Sequence, residues 1–297
     1  MKAILALLGS CTLAASLPAA TTINATNQYA YGANIGWMDW RGDVASGAVI
    51  GEYVCSGFIY AANVGWINLG SGAPTNGVRY QNASASDFGV NHDGSGNLRG
   101  YAWGANIGWL TFTNRDATGA SYTGPRVNLL NGRMSGFVWS ANCGWISLSN
   151  AFAEVRTDNL LPGTDTDGDG IADAYELFWT SNLTTLNATG DFDGDHFSDV
   201  EEYIADTIPT NPTNHLRFTN YSVTFTAQDI HSLTWLSRPT RIYRLDYRSS
   251  LSTNILWQPL GLAILGEPGP TTSATAGIAP ITDQRYWRVS VSLPLPP

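Results

Sequence analysis

The chain is poor in charge and almost free of lysine. Charged residues make up 13% of its 297 positions, about half of their usual share in globular domains. Lys2 is the only lysine, and Asn, Thr, Ser and Gly are abundant in place of charged side chains. That composition favours strands joined by many turns and disfavours helical bundles. We therefore expect a mainly β protein.

Long apolar runs and cysteines are also scarce. No stretch reaches the ~20 continuous apolar residues of a transmembrane helix, so no transmembrane segment is expected. The three cysteines are Cys11, Cys55 and Cys143. If Cys11 is removed with an export signal, the other two remain, either as one disulfide or as two buried thiols.

The N-terminus has the pattern of a secretory signal peptide. Lys2 precedes the apolar run Ala3 to Leu8, and small residues follow up to Ala20. We assign residues 1–20 to the signal and expect an extracellular or cell-surface protein. A lipoprotein anchor at Cys11, which ends the sequence Leu-Gly-Ser-Cys, is the alternative.

Residues 21–159 contain four copies of one pattern. They read YGANIGWM from Tyr31, YAANVGWI from Tyr60, WGANIGWL from Trp103 and WSANCGWI from Trp139. Their asparagines are 29, 43 and 36 residues apart, which indicates repetition of one supersecondary unit. Asn and Gly tolerate the positive φ of tight turns, so each copy is predicted to form a β-hairpin.

Alternation along each hairpin separates two faces. Four aromatic pairs are predicted to meet across the hairpins, namely Tyr31–Trp37, Tyr60–Trp66, Trp103–Trp109 and Trp139–Trp145. They share the more polar face, whereas the second strands carry large apolar residues on the other. We take six tryptophans as candidate ligand-binding residues: Trp37, Trp66, Trp103, Trp109, Trp139 and Trp145. Packing inside the hairpin core is the alternative.

We expect about three strands per copy, because 88–91 and 126–129 also read as strands. Segment 152–156 follows the last copy and is predicted to pair with the first, which would close the assembly or nearly close it. Residues 215–297 again show short β runs separated by Pro and Gly, typical of an antiparallel β-sandwich. The runs are 216–225, 233–236, 242–247, 255–265 and 285–291.

Acidic residues are clustered between these β regions, at 160–214. Residues 165–202 carry a charge of −11 and no Lys or Arg, while the rest of the chain sums to +2. Such a segment attracts cations and repels nucleic acid, so no nucleic-acid partner is expected. Linkers containing Pro162 and Pro209 flank it.

These acidic residues have the spacing of two calcium-binding loops. In the first, loop positions 1, 3, 5, 9 and 12 are acidic, position 6 is Gly170, and position 7 offers a main-chain carbonyl. A helix is predicted to follow to about Ser181, burying Leu177 and Phe178. The candidate metal ligands are Asp165, Asp167, Asp169, Ile171, Asp173 and Glu176.

The second loop repeats the acidic positions 26 residues later, with His196 replacing the glycine. A non-glycine residue there carries a conformational cost of about 1 kcal/mol or more, although His tolerates positive φ better than most residues. The candidate ligands are Asp191, Asp193, Asp195, Phe197, Asp199 and Glu202. One or two Ca²⁺ ions are expected, in preference to Mg²⁺.

Residues 165–213 resemble the thrombospondin type 3 and dockerin-like calcium repeats of exported bacterial proteins. That resemblance implies calcium binding by these EF-hand-like loops and a role as a spacer or docking unit. The Asn-x-Gly-Trp copies resemble repeats of uncharacterised exported bacterial proteins. The stretches HSLTWLS, RIYRLDYRSS and RYWRV resemble terminal β modules of similar proteins.

No Gly-x-Ser-x-Gly or His-Glu-x-x-His motif occurs, and the four histidines lack metal spacing, so we expect histidines at the surface or in turns and no catalysis. The predicted function is that of a calcium-binding structural or adhesive surface protein, with polysaccharide or another surface protein as the further partner. The alternatives are a lectin-like protein that uses the aromatic face and, third, an extracellular polysaccharide-active enzyme.

Overall fold

The computed structural model describes residues 21–115, 121–225, 229–252, 254–278 and 285–297. The expected signal peptide, with Cys11, lies outside these residues. The protein is mainly β, as its composition predicts. A barrel built from the four copies comes first, two short helices follow, and two three-stranded sheets complete the chain.

Eight antiparallel strands form a closed barrel. Each copy contributes one hairpin, the hairpins pair in chain order, and the last strand pairs with the first. Closure removes the free edges that would otherwise invite association through strand pairing. The barrel strands are β1 Ile23–Gly32, β2 Gly36–Asp39, β4 Cys55–Ala61, β5 Gly65–Ser71, β7 Leu98–Gly104, β8 Gly108–Phe112, β11 Phe137–Ser140 and β12 Gly144–Ser147.

Five shorter strands decorate the barrel: β3 Val49–Ile50, β6 Val90–His92, β9 Arg126–Val127, β10 Met134–Ser135 and β13 Val155–Thr157. β13 pairs with β1, as predicted for the end of this region, but it begins later than expected and Phe152 is 91% exposed. Closure of the ring was assigned to the wrong strand. β12 pairs directly with β1 through Tyr31↔Ser147 and Gly32↔Ile146, so β13 lies outside the ring.

The predicted hairpin registers are confirmed. Each aromatic pair sits opposite its partner, as in Trp103↔Trp109, and Gly104 pairs with Gly108 around a three-residue loop. The opposite face fills the barrel with buried side chains, among them Met38, Ile67 and Leu110. The apolar face was therefore identified correctly from alternation.

The four hairpin turns interlock at one end of the barrel. The side-chain amide of each turn asparagine donates to a main-chain carbonyl in a neighbouring turn: Asn34 to Cys143, Asn63 to Ile35, Asn106 to Val64 and Asn142 to Ile107, at 2.9–3.1 Å. We call these residues the asparagine ring. The positive φ belongs to the following glycine, such as Gly36 at 79°. The expectation of positive φ at the asparagine is therefore wrong. The asparagine contributes its side-chain hydrogen bond to the turn instead.

Cys55 and Cys143 are buried free thiols. Cys143 occupies the turn position held by Ile35, Val64 and Ile107 in the other copies. Cys55 begins β4, whose turn lies six residues further on, a rise of about 20 Å at ~3.3 Å per residue. The two sulfurs therefore sit at opposite ends of the barrel, and the disulfide alternative is wrong.

The acidic segment contains two short helices, α1 Asp173–Thr180 and α2 Asp199–Ala205. A small apolar cluster joins them, built around Ile171, Tyr175 and Tyr203. The end of α1 is confirmed, because Ser181 adopts the left-handed conformation and caps it. The predicted burial of Phe178 is wrong, because its side chain is 60% exposed, and Leu177 is only half-buried. The helix turns its 174–176 face inward instead, which places Glu176 at the loop.

The C-terminal region is a sandwich of two sheets. One has the order β14 Phe218–Phe225, β15 Asp229–Leu236, β18 Thr271–Ile278, and the other β17 Gln258–Leu265, β16 Ile242–Arg248, β19 Tyr286–Ser292. Trp235 and Tyr243 meet between the sheets. Five of these strands were predicted. β18 was missed because its sequence, TTSATAGI, carries a single large apolar residue and is held by pairing to β15.

Candidate metal centre and aromatic surface

Three carboxylates of each loop converge. In the first loop Asp165, Asp167 and Asp169 place one oxygen each within 4.8 Å of the others. Asp165 is fixed by main-chain donors, since it accepts hydrogen bonds from the N–H groups of Gly168, Asp169 and Gly170 at 2.8–3.2 Å. The loop is therefore shaped by its own backbone around position 1.

The second loop repeats this arrangement. Asp191, Asp193 and Asp195 converge equally closely, and Asp191 accepts from Gly194, Asp195 and His196 at 2.8–3.0 Å. His196 has φ 76°, close to the 92° of Gly170 at the same loop position. The histidine thus takes the left-handed conformation that the loop demands, as its position predicts.

The glutamates at position 12 are buried without adequate partners. Glu176 is 0% exposed and Glu202 1% exposed. Neither oxygen of Glu176 accepts a hydrogen bond, and in Glu202 only Oε1 does, from Thr207 at 3.1 Å. Oδ2 of Asp169 is also buried and unpartnered. An ionised carboxylate in this condition is strongly unfavourable unless a cation compensates it.

The pKa values reflect this cost. Burial, followed by the charges of Asp167 and Asp169, raises the pKa of Glu176 to about 8. Burial also raises the pKa of Glu202 to about 8, against the hydrogen bond from Thr207 and with the charge of Asp193. Without a cation, both sites hold protons that a divalent ion would displace.

The position-9 aspartates do not join the three-carboxylate groups. Asp173 accepts from Thr164 and from the N–H and hydroxyl of Thr166 at 2.6–2.9 Å. Although burial opposes its ionisation, these bonds lower its pKa. Asp199 likewise accepts from the N–H groups of Asn187 and Phe192. Both aspartates brace the loops across their width.

The position-7 residues are placed as the loop pattern requires. Ile171 is fully buried and Phe197 half-buried, and within the described ranges no group donates a hydrogen bond to either carbonyl. Each loop thus combines converging carboxylates, a free carbonyl and a buried glutamate with at least one unpartnered oxygen. This set of hard oxygen donors fits a divalent ion such as Ca²⁺.

Two contacts to the second loop were not foreseen. His215, at the start of the C-terminal region, donates from Nδ1 to Oδ2 of Asp195 at 2.7 Å and stacks on Phe197. Its Nε2 lies 3.3 Å from Nη1 of Arg217, which fixes Nε2 as the acceptor. Position alone could not reveal this, because His215 is 20 residues from Asp195. Two other histidines, His92 and His231, were expected at the surface or in turns but are buried within strands.

A buried polar junction connects the barrel, α2 and the sandwich. Arg241 and Glu52, 1% and 7% exposed, form an ion pair at 2.8 Å. Tyr203 of α2 donates its hydroxyl to Glu52 at 3.2 Å. Arg241 also donates to the carbonyls of Tyr203 and Ile204 at 2.9 and 2.8 Å. We call Glu52, Tyr203 and Arg241 the junction.

The barrel carries most of its candidate tryptophans on the outside. Five of the six candidate tryptophans are 38–50% exposed, and Trp139 is half-buried. These five exposed tryptophans pack against aromatic neighbours at steep angles, as Trp109 does against Trp103 with ring centroids 4.7 Å apart. The rings thus lie on the outside of the barrel and pack across the hairpins there, so ligand binding and packing within the hairpins both stay interpretations.

Comparison with known proteins adds no relative. No protein-family model, curated protein or solved structure matches the chain. Across the described ranges, the structure has no helix with the length and apolar character needed to span a bilayer.

Proposed function

We propose that this chain is an exported structural or adhesive surface protein in which calcium orders the segment between two β regions. One observation carries the proposal: Glu176 and Glu202 are buried beside converging carboxylates, and three of their four oxygens lack a hydrogen-bond partner. Such groups are retained at a cost unless a bound cation satisfies them. The paired loops supply that arrangement twice.

Calcium suits these loops better than magnesium. Ca²⁺ accepts six to eight oxygen ligands in adaptable geometry, whereas Mg²⁺ requires a near-ideal octahedron and retains water. Each loop offers carboxylates and a carbonyl from one short stretch of chain. Outside the cell, where calcium is millimolar, sites with dissociation constants of ~10⁻⁴–10⁻³ M are filled.

The junction explains how an ordered segment would hold both β regions. Glu52 belongs to the barrel, Tyr203 to the helix that begins at the second loop, and Arg241 to the sandwich. Because Glu202 precedes Tyr203 in α2, fixing the glutamate on a cation also fixes the hydroxyl that reaches Glu52. Calcium would thereby set the position of the sandwich on the barrel.

The test uses two neighbouring glutamates. Glu202→Gln removes a buried acid from the second loop. Glu201→Gln is the matched control on the same helix, where Glu201 is exposed and caps α2 through Ser198. Calorimetric titration with CaCl₂ should show at least tenfold weaker binding for Glu202→Gln at one site, since a bidentate ligand loses its charge. Glu201→Gln should bind like the wild type.

Thermal unfolding provides the second measurement. At calcium a hundredfold above its dissociation constant, binding adds about 2.7 kcal/mol per site, so EDTA should lower the melting temperature clearly. An identical melting profile with calcium and with EDTA would refute the proposal. So would equal calcium affinities for Glu202→Gln and Glu201→Gln.

Carbohydrate binding is the second candidate function. The exposure of the outer tryptophans favours it, because monomeric proteins rarely leave so many large aromatic rings in water without use. Aromatic faces stack on the C–H faces of sugar rings, as their quadrupole makes the ring face negative. Intrinsic tryptophan fluorescence, titrated with soluble polysaccharides, tests this function directly.

A further inference from the structure

The third copy of the repeat carries a cleft. A cavity of about 470 Å³ opens beside Trp109 on the outer face of the barrel. Phe88 and Tyr101 line it together with Trp109, and Asn82 and Ser84 supply polar groups. Its volume lies within the range of small-molecule sites, ~300–1,000 Å³.

An inserted loop builds the far wall of this cleft. Residues 72–89 separate β5 from β6 and account for the longest spacing between copies, 43 residues. The loop is held firmly, because Asp87 accepts from the N–H groups of Thr75 and Gln81 at 3.1 and 3.0 Å. Asn82 accepts from Gly89 at 3.0 Å. The wall is therefore preformed.

The lining specifies the chemistry of an occupant. Phe88 meets Trp109 at a steep angle with ring centroids 5.1 Å apart, both rings line the cavity, and Trp109 is 42% exposed. No charged side chain lines it. Within the part of the chain that the structure describes, the Trp109 indole N–H and the Tyr101 hydroxyl make no hydrogen bond. Both remain open to a ligand rich in hydroxyl groups.

We infer that this cleft is a subsite for one pyranose unit of an uncharged polysaccharide, with Trp109 as the stacking platform and Phe88 and Tyr101 as its flanks. A sugar ring presents C–H groups to the aromatic faces and hydroxyls to the free indole and phenol groups. The absence of charge in the lining favours a neutral chain over a uronic-acid polymer. This inference rests on the second candidate function and is independent of calcium.

The experiment compares equivalent positions in two copies. Tyr101→Ala alters the cleft, whereas Phe58→Ala is the matched control: Phe58 packs on Trp66 as Tyr101 packs on Trp109, but lines no part of this cavity. Isothermal titration with cellohexaose, xylohexaose, maltohexaose and polygalacturonate identifies the preferred chain. For that oligosaccharide, Trp109→Ala and Tyr101→Ala should weaken binding roughly tenfold or more, and Phe58→Ala less than about twofold.

Three results would overturn the inference. One is that no neutral hexasaccharide binds at millimolar concentration, and another is a preference for polygalacturonate. The third is an equal loss in Phe58→Ala and Tyr101→Ala, which would spread binding over the whole barrel surface. Circular dichroism of each variant verifies the fold. Repeating the titrations in EDTA separates the two proposals, because loss of the calcium loops leaves the barrel cleft in place.

Discussion

The barrel and the acidic segment each bury a titratable side chain, His92 and Glu176, but in opposite conditions. In the barrel, His92 is fully buried yet satisfied at both nitrogens: Nδ1 donates to the Glu52 carbonyl at 3.0 Å, and Nε2 accepts from Gly96 at 3.1 Å. In the segment, Glu176 is equally buried and has no partner for either oxygen. His92 is therefore satisfied by atoms of the barrel alone. In our proposal, a bound cation supplies the partner that Glu176 lacks.

The largest expected effect concerns the junction, where the two regions meet. Arg241→Met leaves Glu52 buried without its cation, which typically destabilises a protein by about 3–5 kcal/mol. We therefore expect the contact between barrel and sandwich to be lost at a much lower denaturant concentration than in the wild type. The measurement is denaturant unfolding monitored by tryptophan fluorescence. The double variant Glu52→Gln/Arg241→Met should lose less than the sum of the single losses. Additive losses would mean that the pair does not couple the regions.

The next effect tests whether the barrel is independent of calcium. Ile67 is fully buried in the barrel core, so Ile67→Ala should cost about 2–5 kcal/mol of unfolding free energy. We expect the same cost with calcium and with EDTA, measured by urea unfolding of the whole chain. Trp66→Ala, one residue away on the outer face, should cost less. If the loss of unfolding free energy in Ile67→Ala depended strongly on calcium, the barrel would not be independent of the acidic segment.

The smallest expected effect is a difference in how the stability of the two regions depends on pH. Burial lowers the pKa of His92 to about 4, against weaker opposing contributions from Asp93 and the hydrogen bond to Glu52. The unfolded chain therefore binds more protons than the folded one between pH 6.5 and 4. Stability from the neutral ring is complete above pH 6.5 and falls as pH drops towards 4, by at most about 3 kcal/mol. The difference between wild type and His92→Gln in urea unfolding at each pH should show this slope.

The segment should respond with the opposite sign when calcium is removed. The pKa of Glu176 is raised to about 8, so the folded, metal-free segment binds more protons than the unfolded chain up to that pH. Its stability in EDTA is greatest in acid and declines as pH rises towards 8. If the stability contributed by His92 and the stability of the metal-free segment changed in the same direction with pH, the contrast between the two regions would be contradicted.

Much of this architecture follows from local sequence. Alternation identified the faces of the hairpins, and the register Trp103↔Trp109 followed from the Ala-Asn-x-Gly turn. The acidic spacing identified both loops. These features depend on residues only a few positions apart, which is why one sequence suffices to predict them.

The contacts that were missed join distant parts of the chain. The turn asparagines bond to carbonyls 28–109 residues away, and Arg241 meets Glu52 across 189 positions. The cleft wall comes from an insertion whose sequence shows only that it is long. Such contacts are set by ring closure and by the docking of whole regions, which no periodicity reveals.

The closed ring has a consequence for connectivity. Because β12 pairs with β1 and β13 returns to the same strand, the chain enters and leaves the barrel at neighbouring points. In space the barrel has no first hairpin, and any of the four could serve as the start. A circular permutant opened between two other hairpins would keep every strand pairing, so the acidic segment could be grafted onto a different side of the same cylinder.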